Sequence, residues 1–219
     1  LAVGSHHSLD ETRIAYYERY GFADVFAQVR RASNAVVRQI EEIPGVAAVE
    51  PRIAQLALLD IPNFREPATG QFISLPGKRP QVLNRLYMRT GRMPDPASER
   101  EVVVNESFAS AHGFGLGSRF AAILNGRKRE LTIVGTALSP EFIYAVGPGD
   151  IMPDNRRYGI IWMGEHALAG AYNLKDAFSS VAVKLLPGAS EEEVIRHIDG
   201  ILERFGGREG ACLRGGPVF

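Results

Sequence analysis

The chain has 219 residues, with Lys+Arg 25 balanced by Asp+Glu 25, 45% hydrophobic and 23% charged residues, so it exceeds a typical single domain of ~100–150 residues and fits one large domain or two subdomains. The composition excludes a disordered chain, and zero net charge removes the global field that draws a protein to nucleic acid or an anionic membrane. No apolar run approaches the ~18 residues of a membrane span, the opening Leu1-Ala2-Val3-Gly4-Ser5-His6-His7 lacks the basic and apolar stretches of a signal peptide, and the single Cys212 excludes an internal disulfide or a thiolate zinc cluster.

The first elements read as helix, stop and strand. Aromatic residues crowd Ile14 to Tyr20, Gly21 follows, and Phe22 to Val29 alternates apolar and polar positions. Ser33 stands as an N-cap before the stripe Val36, Val37, Ile40 and Ile43, and Pro44-Gly45 ends that helix because proline cannot continue the hydrogen-bond ladder. Val46 to Leu59 is β-rich and extended, completing one β-α-β unit.

The middle, residues 60–176, has a different texture of short strands and turns. Phe72-Ile73-Ser74 and Tyr87-Met88-Arg89 are strand candidates, and Glu101 to Val104 is a stronger one. Asn105 is placed to cap a helix over Glu106 to His112, ended by Gly113. Phe120 to Leu124, Asn125-Gly126 and Glu130 to Val134 form a hairpin with a strong two-residue turn signal. Ile160 to Met163 is a buried strand. Between them the long segment Ser139 to Arg157 carries Pro140, Pro148, Gly149 and Pro153, and a loop of that length is usually functional or mobile.

Near the end the opening grammar returns. Phe178 to Leu185 reads as a strand, Pro187-Gly188 turns the chain, and Ser190 caps a helix carrying Val194, Ile195, Ile198, Ile201, Leu202 and Phe205. Gly206-Gly207 stops it, and a last strand starts at Ala211. Two β-α-β units set far apart are what a split ferredoxin-like sheet needs, with the middle as an insertion. The expected fold is therefore α+β: a discontinuous subdomain over 1–59 and 177–219, interrupted by a mainly-β subdomain over 60–176.

Chemistry is sparse. His6, His7, His112, His166 and His197 never fall into a metal-ligand spacing. Gly113-Phe114-Gly115-Leu116-Gly117 follows a helix and enters a strand, whereas a dinucleotide fingerprint follows a strand and opens a helix. There is no phosphate-binding P-loop and no nucleophile elbow. Glu191-Glu192-Glu193 complements the dipole of a helix start, and Arg127-Lys128-Arg129 is a solvated strand end. No catalytic, cofactor-binding or metal-binding residue is assigned. Partner-contact candidates are Phe142, Ile143, Tyr144, Arg156, Arg157 and Tyr158, in or beside the long loop, because aromatic residues and arginine dominate contact hot spots. The same aromatics can instead tuck back under the loop, and sequence leaves both options open.

The run Arg100 to Ala109, then Gly113-Phe114-Gly115-Leu116-Gly117-Ser118, then Leu131-Thr132-Ile133-Val134-Gly135-Thr136 resembles the periplasmic core domain of MacB/LolC/FtsX-type ABC transporter permeases. Ile43 to Pro51 is similar to that family's "PGV..V.P" helix-to-strand step, and Asn84 to Arg92 to its approach to the central strand. The resemblance implies a porter-like subdomain split by an inserted "sabre" subdomain, excised from between the first two transmembrane helices of a bacterial inner-membrane permease and lying in the periplasm. It implies no enzymatic activity and no cofactor. The function implied is mechanical: coupling ATP hydrolysis by a cytoplasmic ABC ATPase subunit to the handling of a periplasmic adaptor (membrane-fusion) or other periplasmic protein, with a second permease copy and no nucleic acid as partner. As the resemblance has it, lipoprotein-releasing members carry a hook where this sequence turns tightly at Asn125-Gly126, so a member acting with an adaptor, or one of uncharacterised substrate, fits better. A free-standing ferredoxin-like enzyme or small-ligand sensor is the alternative, with its site in the inserted region.

Overall fold

The computed structural model of the chain describes residues 19–142, 145, 147–148 and 152–206, together with the backbone of 212–214. The helix expected at Ile14 to Tyr20 therefore lies outside the described residues apart from its last two positions. Two sheets divide the chain. In the first, strands β1 (Val25–Ser33), β2 (Val46–Arg52), β10 (Ala177–Leu185) and β11 (Cys212–Arg214) are ordered β11-β1-β10-β2, all neighbours antiparallel. Helices α1 (Val36–Glu41) and α4 (Glu191–Leu202) connect strands that each skip one neighbour, which is the ferredoxin-like arrangement expected of two β-α-β units.

The apolar face of this sheet is legible residue by residue. Val25, Ala27 and Val29 alternate inward along β1, and with Val181 and Val183 they meet Ile40 of α1 and the stripe Val194, Ile198 and Leu202 of α4, all buried. Ser190 caps α4 by accepting the Glu193 amide at 3.4 Å. Ser33 does not cap α1; Ala35 holds that position, and Ser33 Oγ accepts the Ala35 amide at 3.3 Å, so an ST turn precedes the helix. Gly45, at φ +96°, ends the α1 connection where a Cβ would stand 2.9 Å from Ala189 Cβ, so the two β-α-β units can approach only through a glycine.

The second sheet is mixed and closes on itself. Its strands are β3 (Ala54–Asp60), β4 (Ala68–Leu75), β5 (Tyr87–Gly91), β6 (Glu101–Asn105), β7 (Arg119–Leu124), β8 (Arg127–Leu138) and β9 (Tyr158–Gly164), ordered β5-β8-β6-β9-β4-β3-β7. The first half of β8 pairs β7 across the two-residue turn Asn125-Gly126, both at positive φ as a type I′ hairpin requires, and its second half lies between β6 and β5. One face of the ring buries Phe72, Val104, Phe120, Leu131 and Met163, joined by Phe108 of helix α2 (Glu106–His112) and Leu168 of helix α3 (Glu165–Tyr172). The other face buries Ile73, Val103, Ile160 and Trp162.

Two further expectations change. The strand Ala54–Asp60, grouped by sequence with the first part, pairs with β4 and β7, so the chain changes sheets at Ile53 and not after Leu59. Continuous extended character concealed this, because one residue suffices to redirect a strand. Asn105 occupies the N-cap position of α2 but spends its side chain elsewhere: Oδ1 accepts the Ile160 amide at 2.9 Å, joining β6 to β9.

Candidate functional site: the junction of the two sheets

Ile53, 1% exposed, is the crossover. Its amide donates to Ser74 Oγ at 2.8 Å, and its carbonyl accepts the Ser74 amide at 2.9 Å. The next residue, Ala54, is held to β10: its amide donates to Ser179 Oγ at 3.0 Å, while that hydroxyl donates to the Ala54 carbonyl at 3.1 Å. A hydroxyl can serve both ways, so a single side chain pins the start of β3 onto the first sheet.

Arg52, the last residue of β2, carries the strongest contact across the junction. Its guanidinium meets Glu141 in bidentate fashion at 2.5 and 2.6 Å, donates to Ser180 Oγ at 3.2 Å and lies 5.3 Å from the Phe26 ring centroid. The Arg52 and Glu141 side chains are 10% and 13% exposed, so the pair is largely desolvated. Glu141 sits in the 3₁₀ turn Pro140–Phe142 that opens the long loop. Asn84 Nδ2 donates to the same carboxylate at 3.1 Å, while Asn84 Oδ1 accepts the Ala23 amide at 3.0 Å ahead of β1. The planar fork suits arginine, and a lysine would reproduce neither the second hydrogen bond nor the fixed orientation.

Glu50 anchors a second strut. It is 4% exposed, accepts the Val82 amide at 2.8 Å and pairs with Arg79, whose guanidinium also donates to the Pro51 carbonyl at 2.9 Å. Pro51 costs no ladder bond on the outer side because β2 is an edge strand. Leu83, 3% exposed, packs with Ala23 and Ala182 against the face of the first sheet that carries no helix. The space left among Glu50, Arg52, Ser74, Asn84, Glu141 and Trp162 is about 10 Å³, roughly one water molecule, so the network is a filled clamp and no substrate cavity. Nearby, burial and then the Glu141 charge push the Tyr158 hydroxyl up to about 12.

The loop candidates separate. Phe142 is half-buried with its ring edge-on to Trp162 at 6.3 Å, and Tyr158 is 6% exposed at the start of β9. Tyr158 is therefore withdrawn from the surface, while the Phe142 ring leans on Trp162 and stays partly accessible. Arg156 and Arg157 are exposed. The Arg156 guanidinium lies 5.0 Å from the Phe64 ring, its carbonyl accepts from His112 Nε2 at 2.9 Å, and Arg157 pairs with Glu66. Ile143 and Tyr144 lie outside the described residues. Among the described residues, no group of three or more His, Cys, Asp or Glu side chains is arranged to hold a metal.

Sequence reading missed Arg52, Glu50, Arg79, Asn84 and Glu141 altogether. The one local signal was a glutamate, a proline and an arginine closing an otherwise apolar strand; their side-chain partners lie 28 to 128 residues away.

The chain matches the family described as the MacB-like periplasmic core domain over residues 6–201. No curated protein sequence is significantly similar to it. Its fold is similar to the periplasmic region of MacB from Actinobacillus actinomycetemcomitans, with a TM-score of 0.51 and 12% identity over 93% of this chain and 94% of that one. It is also similar to the extracellular domain of the noncanonic ABC-type transporter YknZ from Gram-positive bacteria, with a TM-score of 0.53 and 11% identity over 88% of this chain and 98% of that one. Among the described residues no helix is long and apolar enough to cross a membrane.

Proposed function

Starting from the fact that this chain belongs to the MacB-like periplasmic core domain family, we propose that it works on the outer side of the cytoplasmic membrane as the part of an ABC permease that passes ATP-driven movement to an adaptor or other extracytoplasmic protein. In this reading the four-stranded sheet is the porter-like base and the closed sheet the sabre-like extension. Among the described residues the first and last strands, β1 and β11, are neighbours in the base. Movement delivered to the base must cross the junction to reach the extension.

The observation that carries this reading is the Arg52–Glu141 clamp, which couples the end of a base strand to the root of the long loop through two parallel, largely desolvated hydrogen bonds. A buried ion pair adds little net stability compared with an apolar replacement, but it fixes one relative placement, since any sliding leaves a charge unpaired. That property suits a transmission element.

The test uses the full-length permease with its ATPase in liposomes. A fluorophore at Arg38→Cys in a Cys212→Ser background, on the exposed side of α1, reports energy transfer to head-group dyes in the bilayer. ATP followed by vanadate is expected to change that transfer. Identical transfer in all nucleotide states contradicts the reading.

A further inference from the structure

A groove of about 640 Å³, with Arg79 among its lining residues, opens where the two sheets' connections meet. Asn34 and Asp176 contribute from the base, while residues 77–79, Pro96, Ala97 and α3 contribute from the extension. That volume falls within the range of about 300–1,000 Å³ usual for small-molecule sites, which form preferentially at boundaries between domains.

The chemistry of the walls narrows the occupant. The floor is apolar, formed by Pro96, Ala97, Ala169 and Leu174. Around it stand two cations, Lys78 and Lys175, two carboxylates, Glu165 and Asp176, and the His166 imidazole, and none of these five side chains makes an ion pair or hydrogen bond among the described residues. Arg79, by contrast, is already committed to Glu50 and the Pro51 carbonyl. A purely anionic ligand would satisfy the lysines but lie against two like charges, and a purely cationic one would do the reverse. An apolar body carrying both signs matches all three features.

We propose that this groove binds a zwitterionic amphiphile of drug size, its apolar body on the Ala97–Ala169 floor and its two head charges between the lysines and the carboxylates. Because both sheets' connections line the groove, such a ligand would bridge base and extension. The inference goes beyond the transmission reading, and its test needs neither membrane nor nucleotide, so either can fail alone.

The probes are CHAPS and cholate, which share a steroid body and differ in head group, each titrated into the 219-residue chain below its critical micelle concentration. Calorimetry and backbone amide NMR shifts give the readout. CHAPS is expected to shift the amides of Lys78, Ala97, Ala169 and Lys175 and to bind about fivefold more tightly than cholate, the scale of one exposed charge pair gained. Lys78→Ala and Glu165→Gln should each weaken CHAPS binding about two- to fivefold at unchanged Tm. Ala97→Trp, which fills the floor from an exposed position, should abolish binding of both probes, and Ala97→Phe serves if the indole perturbs folding. No binding by CHAPS, cholate binding as tightly as CHAPS, or Ala97→Trp and Ala97→Phe chains that fold and bind like the parent would overturn the proposal.

Discussion

The base and the extension solve the burial problem differently. In the four-stranded sheet one face meets α1 and α4 in the main core, while the other face is covered, among the described residues, only by the small Ala23–Leu83–Ala182 cluster over β10. In the closed sheet both faces are buried: Val102, Val103 and Val104 are all fully enclosed, alternate residues pointing into two separate clusters. The base core is completed by residues of two helices, whereas the extension's two clusters are supplied mainly by its own strands. Between the two cores stand the polar clamp and the small Leu83 cluster, which hold the parts together.

The largest expected effect comes from Ile198→Asp, which buries an unpaired charge in the base core and should cost about 3–5 kcal/mol. Trp162 is the only tryptophan and lies in the extension. Urea unfolding followed by far-UV circular dichroism reads both parts, while fluorescence reads the extension alone. With an intact clamp both midpoints should fall; a fluorescence midpoint identical to wild type would mean that the two parts unfold independently.

Next comes the clamp. Arg52→Met strands the Glu141 carboxylate and should cost about 2–4 kcal/mol, the lower side of the buried-pair range because about a tenth of each side chain remains in contact with water. The double variant Arg52→Met/Glu141→Leu should regain most of that loss in chemical denaturation, and a double variant as unstable as the single one would show that the pair itself supplies the stability. Within the extension, Gly159→Ala places a methyl group 2.7 Å from the Phe108 ring, and overpacking of that kind costs about 1–3 kcal/mol in thermal unfolding. An unchanged Tm would mean that the Phe108 ring moves freely, against its full burial.

The smallest effect is electrostatic. Hydrogen bonds from Arg92 and from the Asp95 amide hold the Glu101 carboxyl down to about 2, from an ordinary value of 4.5. A carboxylate with a depressed folded-state pKa contributes stability that is present above about 4.5 and lost as pH falls through about 2. Glu101→Gln should therefore flatten the acid limb of the stability curve between those values and leave the alkaline limb unchanged. An identical acid limb would mean the pair is screened away.

How much of this was readable beforehand follows from the same contrast. The base is written in local patterns: alternation along β1, a 3.6-residue stripe with a serine cap in α4, and glycine stops. In the extension, individual strands such as Glu101–Asn105 and the Asn125-Gly126 hairpin stood out, because an apolar run or a turn pair is local. Ring closure did not, since β8 pairs with three partners and nothing in its twelve residues specifies which half meets which. Helix α3 escaped because a short Ala- and Gly-containing segment, Glu165–Tyr172, carries little amphipathic signal. The clamp was invisible for a thermodynamic reason: a glutamate and an arginine look like solvated residues until the fold brings their partners to them.

Comparing movement on the two sides of the junction tests the transmission account most directly. In the reconstituted full-length permease, fluorophores at Arg38→Cys in the base and at Arg127→Cys beside the extension's hairpin turn are followed against head-group dyes through the nucleotide cycle, with and without Arg52→Met/Glu141→Leu. The account predicts that nucleotide shifts both positions in the parent protein, and that the clamp variant keeps the shift at position 38 while losing most of it at position 127. An undiminished shift at position 127 in a folded clamp variant would contradict it.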